Sequence, residues 1–231
     1  MNNPIIPFRA GFMLPSSNTV FEDRCFDVFS SDPRIRAHFA RVPVVSISNT
    51  ESSLSQFDRG RMLAAARSLA EAGPDCIVWA GTAASWLGFE FDKTLCQEIE
   101  DRWCVRAMSA TLSINARLAE LKAGSIGLVT PYGAELEARI AQNYEAIGIR
   151  VVGAERLDLT ENTDYAAVSP ARILKMVRDV ARHGADAIVI LCTNLAGAYI
   201  LEEAQRQVGC SILDSVEETL NAVRRVSMIR S

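Results

Sequence analysis

Short apolar runs rich in β-branched residues recur along the chain, each followed by a longer stretch whose apolar residues fall at helical spacing. The runs over 10–17 (AGFMLPSS), 36–44 (RAHFARVPV), 75–81 (DCIVWAG) and 104–110 (CVRAMSA) predict four strands. Four more are predicted over 125–132 (SIGLVTPY), 149–157 (IRVVGAERL), 186–192 (DAIVILC) and 210–215 (CSILDS). Helices fill the intervals, as over 133–148 (GAELEARIAQNYEAIG) and 169–184 (SPARILKMVRDVARHG). In the latter, Ser169 is placed to cap, Pro170 suits the first helical position, and Gly184 after His183 gives the stop. Strands alternating with helices predict parallel sheets covered on both faces, and the near-continuous apolar strands agree.

The second set of runs repeats the first. FMLPSS overlays GLVTPY and VWAGTAAS overlays VILCTNLA, with an offset that falls from about 116 to about 111 to about 106 residues along the chain. The fold class is therefore α/β, with two pseudo-symmetric four-stranded parallel-sheet units, helices on both faces, and the active site between them. The halves divide near residue 113: 1–112, completed by a C-terminal helix over 216–231, and 113–215. Ligands of open parallel sheets sit outside the carboxyl ends of the strands. That rule brings together Pro15, Ser16, Ser17 and Asn18; Gly81 and Thr82; Thr130, Pro131 and Tyr132; and Cys192, Thr193 and Asn194.

Composition narrows the chemistry. A net charge of −4 without a block of like charge gives no footprint for nucleic acid or an anionic membrane surface. No apolar run approaches the roughly 20 residues that span a bilayer, and the N-terminus lacks the pattern of a secretory signal, so a cytoplasmic protein is expected. Six cysteines without CxxC spacing fit neither a disulfide framework nor a zinc site, and most are expected to be buried, reduced thiols. Two histidines, His38 and His183, leave almost no material for a Ser/His/Asp triad or a histidine metal cluster. No GxGxxG or GxxxxGK[ST] loop supports nucleotide binding, and the acidic residues are expected mostly on solvated helix faces. No metal site and no cofactor are expected.

Cys192 ends an apolar strand and precedes Thr193, Asn194 and a helix expected from about Ala196, where backbone N–H groups can stabilise a thiolate or a bound carboxylate. A cysteine is more commonly a small buried hydrophobe, and Cys25, Cys76, Cys96, Cys104 and Cys210, at helix or early strand positions, are read that way. Asn18, Thr82, Tyr132, Thr193 and Asn194 are neutral donors suited to carboxylates and developing enolates. Ser16, Ser17 and Asn18 equally suit turns and caps, Tyr132 could simply pack, and Asn162 in LTENTDY suits a loop. Trp79 and Trp86 flank the Gly81 loop, with core packing as their ordinary role.

These residues together resemble the aspartate/glutamate/hydantoin racemase superfamily, in its branch of maleate cis-trans isomerases and arylmalonate decarboxylases. The resemblance spans nearly the whole chain. LPSSNTVFE is similar to the isomerase signature. Tyr132 in VTPYGAELE, Asn162 in TENTDY, and Cys192, Thr193 and Asn194 fall where that family keeps substrate contacts, and ILDSVEETL is similar to the superfamily's closing strand and helix. The departure is Gly81, where isomerases and racemases carry a first cysteine and arylmalonate decarboxylases a glycine; Asn18 and Asn162 follow the isomerase pattern, and Ala83 stands where both branches often have a hydroxyl.

The resemblance implies a cofactor-free enzyme acting beside a carboxylate of a small dicarboxylic acid, with a homo-oligomer as a possible assembly. Racemisation needs an acid and a base on opposite faces, and isomerisation through a thiol adduct needs a nucleophile, commonly with a second acid. Decarboxylation of a malonate-type acid needs one proton from one face. It is the expected reaction, with Cys192 as donor, Thr82 and Tyr132 holding the oxyanion, and Asn18 and Asn162 orienting a second carboxylate. The alternatives are a maleate-type isomerase or racemase, and a non-catalytic carboxylate-binding protein.

Overall fold

The computed structural model describes residues 6–32 and 34–229. Among the described residues eight strands form two sheets: β1 (Phe8–Pro15), β2 (Ile35–Val42), β3 (Cys76–Trp79) and β4 (Arg106–Ser109) in the order β2-β1-β3-β4, and β5 (Ser125–Thr130), β6 (Arg150–Arg156), β7 (Ala187–Ile190) and β8 (Ser211–Asp214) in the order β6-β5-β7-β8. Every strand pairing within the two sheets is parallel. All eight expected strands are present; β1 begins two residues and β2 one residue earlier than expected and each ends two residues earlier, and the other six are shortened by two or three residues. The α/β class and the repeated topology are thus as the sequence reads.

The central strands explain the apolar runs. CIVW in β3, SIGLVT in β5 and AIVI in β7 are buried at every position because helices cover both faces. The edge strands β2 and β6 alternate partly exposed residues instead. Helix Pro170–Ala181 begins at Ser169, whose side chain accepts from the Arg172 N–H, and its chain leaves through Gly184 at φ +68°, a left-handed conformation glycine adopts without strain. The closing helix Ser215–Ile229 sets Val216, Leu220 and Val223 against Phe8, Phe12 and Val78 of the first sheet.

Two local expectations are corrected. The segment after Cys192 is a 3-10 turn over Ala196–Ile200 followed by a seven-residue helix, Leu201–Gln207, so no full helix begins at Ala196. Cys104 lies before β4, not in it. It ends the helix Glu90–Trp103 at φ +51° and is exposed, whereas Cys25, Cys76 and Cys96 are buried and Cys210 is half-buried.

In each sheet the first and third strands of that half lie side by side while their connections leave in opposite directions. A crevice opens where such connections diverge. Pro15 to Asn18 and Gly81 to Thr82 sit at that point in the first half; Pro131, Tyr132 and Cys192 to Asn194 sit at it in the second.

Candidate functional site

The two crevices face each other, and hydrogen bonds cross between them. Asn18 Nδ2 donates to Thr193 Oγ1 at 3.0 Å, and Thr193 Oγ1 donates to the Ala80 carbonyl at 2.9 Å. Thr82 Oγ1 and the Tyr132 hydroxyl are 2.8 Å apart. Thr82 and Thr193 occupy equivalent places in the repeat, so each half's threonine reaches the first-strand turn of the other.

Cys192 is 3% exposed, and burial pushes its thiol up to about 12. The Asn194 N–H, 3.4 Å from Sγ, and the Tyr132 hydroxyl, within hydrogen-bonding reach, oppose that shift without cancelling it. The thiol is therefore protonated at neutral pH. The Tyr132 phenol is held well above its ordinary value by burial and by the neighbouring thiol, so it too is a neutral donor. Tyr165 stands edge-on to Tyr132, with ring centroids 5.9 Å apart, and its hydroxyl donates to the carbonyls of Leu159 and Thr160.

Most of the expected polar residues meet here, but several are engaged with the backbone. Asn194 Oδ1 accepts from the N–H groups of Thr19 and Val20, and its Nδ2 donates to the carbonyls of Asn162 and Ser17. Its amide is a clasp between the halves. Asn162 opens a short helix, Asn162–Ala166, rather than lying in a loop, and Nδ2 donates to Ser17 Oγ at 2.7 Å. Asn18 Oδ1 accepts from Phe21 N–H, leaving only its amide nitrogen facing Thr193. Ser16 and Ser17 both reach the Val44 carbonyl, and Pro15 accepts from Asn18 N–H in the turn. Arg41 donates to the carbonyls of Ser16 and Asn18 and pairs with Glu22, so its charge is engaged with the turn.

A strap from the first half covers the second near the site. Ser46 bridges Glu161, Ile47 N–H donates to Thr160, and Asn162 N–H donates to Val45. Another groove, of about 410 Å³ and lined by Phe8, Pro74, Cys104, Arg106 and Ile229 among others, lies at the amino ends of the first sheet, far from the strand ends that carry the thiol. Among the described residues no group of three or more His, Cys, Asp or Glu side chains is placed to hold a metal ion. None of their helices is long and apolar enough to cross a membrane.

Two buried carboxyls are exceptions among acids expected mostly on solvated helix faces. Asp92 and Asp214 are fully buried, and burial raises each to about 7. Asp214 Oδ1 accepts from Val216 and Glu217 N–H at the start of the closing helix, and its charge bears on Cys192. The only signal in the sequence was the position of Asp214 at the end of an apolar run, equivalent to other strand ends that feed the site.

Parallel half-sheets that share one mouth, with a thiol at the end of β7, define the class of two-lobed α/β enzymes that includes maleate isomerases and arylmalonate decarboxylase. The family model for arylmalonate decarboxylase matches residues 50–229, and the chain belongs to that family. It is 22% identical over 227 residues to a maleate isomerase of Geobacillus stearothermophilus, covering 92% of this chain and 89% of that one. A 25% identity to the Alcaligenes faecalis maleate isomerase covers 50% of this chain and 46% of the relative. In fold it is similar to a Nocardia farcinica maleate cis-trans isomerase variant with a covalently bound succinylcysteine intermediate, with TM-score 0.85, 21% identity, and coverage of 95% and 92%. It is similar also to a liganded double variant of arylmalonate decarboxylase in which a glycine is changed to cysteine and a cysteine to serine, with TM-score 0.82, 17% identity, and coverage of 96% and 92%. The chain is an enzyme of the decarboxylase or isomerase type.

Proposed function

We propose that the chain decarboxylates a malonate-type dicarboxylic acid, with Cys192 as the single proton donor. The observation that carries this reading is the pairing of a buried, protonated thiol at Cys192 with glycine at the equivalent position, Gly81, in the other half. An acid is present, and its opposite number is missing.

The reaction balances with these residues. The bond from the α-carbon to one carboxylate breaks, its electron pair remains as an enediolate, and carbon dioxide leaves. Cys192 gives its proton to the α-carbon, and the resulting thiolate is held by the Asn194 N–H and the Tyr132 hydroxyl until solvent returns a proton. One hydrogen joins the Thr82 and Tyr132 hydroxyls and the other is left to donate to an enediolate oxygen, and the free hydrogens of Asn18 and Asn162 orient the retained carboxylate. A site built from neutral donors suits this chemistry because a cation beside the departing carboxylate would stabilise the ground state.

Cys192→Ala tests the assignment: phenylmalonate turnover falls by at least about 10³-fold while the thermal midpoint stays near that of the parent. Retained turnover removes Cys192 from the mechanism. A maleate-type isomerase is the second reading, favoured by the curated relatives and by Asn18 and Asn162. It requires a Cys192 thiolate as nucleophile, which the burial of this thiol opposes.

A further inference from the structure

Cys192 ends β7 at the shared mouth, and by the internal repeat its counterpart after β3 is Gly81. The space that a Gly81 side chain would occupy is not open. A Cβ built there would lie 2.4 Å from Trp79 Cζ2 and 2.6 Å from Trp79 Cε2, closer than real contacts allow. Residues 79 and 81 are two apart along extended chain, so their side chains point to the same face, and the indole lies across the glycine. Cε2 is the ring carbon bonded to Nε1. The six-membered ring of Trp79 thus lies against Gly81 along its Cζ2–Cε2 edge, with Nε1 one bond further on. Trp79 is 1% exposed, and its Nε1–H has no hydrogen-bond partner among the described residues.

A buried N–H without a partner is costly, and native interiors keep few of them unless a ligand or water completes the bond. Gly81 and Thr82 belong to the mouth, and the Thr82 hydroxyl is bonded to Tyr132, so this donor is adjacent to the candidate oxyanion pair. We propose that Trp79 is the specificity-determining residue of the site: its indole fills the place opposite Cys192 and donates Nε1–H to a carboxylate of the bound dicarboxylate. The ring excludes a second proton-transferring side chain and supplies a neutral donor in its stead. This rests on the reading above only in taking a dicarboxylate as the ligand.

Three measurements test it. In protein labelled with ¹⁵N at the three tryptophan indoles, with Trp79 assigned through Trp79→Phe, malonate should move the Trp79 indole proton downfield by about 1 ppm while Trp86 and Trp103 stay in place. Trp79→Phe, which keeps a ring and removes the N–H, should weaken malonate binding by about tenfold in calorimetry. A purely structural Trp79 would lower the thermal midpoint and leave the affinity of the folded fraction unchanged. Gly81→Cys should melt several degrees below the parent, and adding Trp79→Leu should recover part of that loss and yield a second reactive thiol beside Cys192. An unmoved Trp79 resonance in a malonate-saturated sample, unchanged affinity in Trp79→Phe, or a Gly81→Cys variant as stable as the parent overturns the proposal. If malonate, phenylmalonate and maleate all fail to bind the parent, the dicarboxylate reading fails instead, and the coupling between positions 79 and 81 still decides whether the indole holds the thiol's place.

Discussion

The protonation state of Cys192 is the most informative quantity in the site, and it can be perturbed by pH alone. Burial moves the thiol from an ordinary 9.0 to about 12. Three pKa units correspond to about 4 kcal/mol against the thiolate, so at pH 7 the anion falls from about one molecule in a hundred to about one in a hundred thousand. An acid catalyst suits that state; a nucleophile or base does not. Alkylation by iodoacetamide, quantified at the Cys192 peptide by mass spectrometry, reads the thiolate directly. Access to the buried sulfur slows the reaction equally at every pH, so the slope carries the information. The rate should rise tenfold per pH unit from 7 to 10 without levelling, while Cys104, which is exposed, reacts much faster at pH 8. Over pH 6–9, kcat for a malonate should not rise with pH. A Cys192 alkylation rate that plateaus below pH 9, or a kcat that climbs tenfold per unit, would refute the acid assignment.

Other predictions follow from neighbouring groups. Tyr132→Phe removes the hydroxyl shared with Thr82 and the donor to Cys192; kcat should fall roughly 10²-fold with KM little changed, and a change under twofold would take Tyr132 out of the oxyanion pair. Asn194→Ala leaves the Thr19 and Val20 N–H groups and the Asn162 carbonyl unpaired, so urea unfolding should show a loss of about 2–4 kcal/mol; a loss below about 0.5 kcal/mol contradicts the clasp. Asp92 is raised in the folded state to about 7, so its stabilisation is complete below the unfolded value near 4 and is lost as pH rises toward 7. The loss is up to about 4 kcal/mol, and Asp92→Asn should flatten the fall in thermal midpoint between pH 4 and 7; an equally steep fall in the variant would place the effect elsewhere.

Much of this was legible in the chain because its signals are local. Apolar runs such as CIVW and AIVI can be buried on both faces only in a covered parallel sheet, and the recurrence of VWAGTAAS as VILCTNLA gave the second sheet its topology. From strand ends alone, Asn18 and Thr193 were expected in one mouth, and they are hydrogen-bonded across 175 residues. What was not legible depends on how side chains share space. The four backbone partners of Asn194 arise only when the halves meet. The ring of Trp79 over Gly81 requires the strand's twist and the packing around it, and a glycine in sequence announces free backbone rather than a filled neighbour. Asp92 lies in a helix whose charges are mostly solvated, and only tertiary packing turns its face inward. Cys104 adopts a left-handed conformation ending a helix, two residues before β4 begins, a boundary that local pattern does not resolve.

The most direct test of the central claim is proton NMR of the protein with phenylmalonate, methylphenylmalonate and maleate in deuterated buffer. Loss of one carboxylate from a malonate with a single deuteron delivered to the α-carbon, and that deuteron absent from the Cys192→Ala reaction, is the predicted result. Fumarate appearing from maleate, with both malonates unchanged, would contradict it.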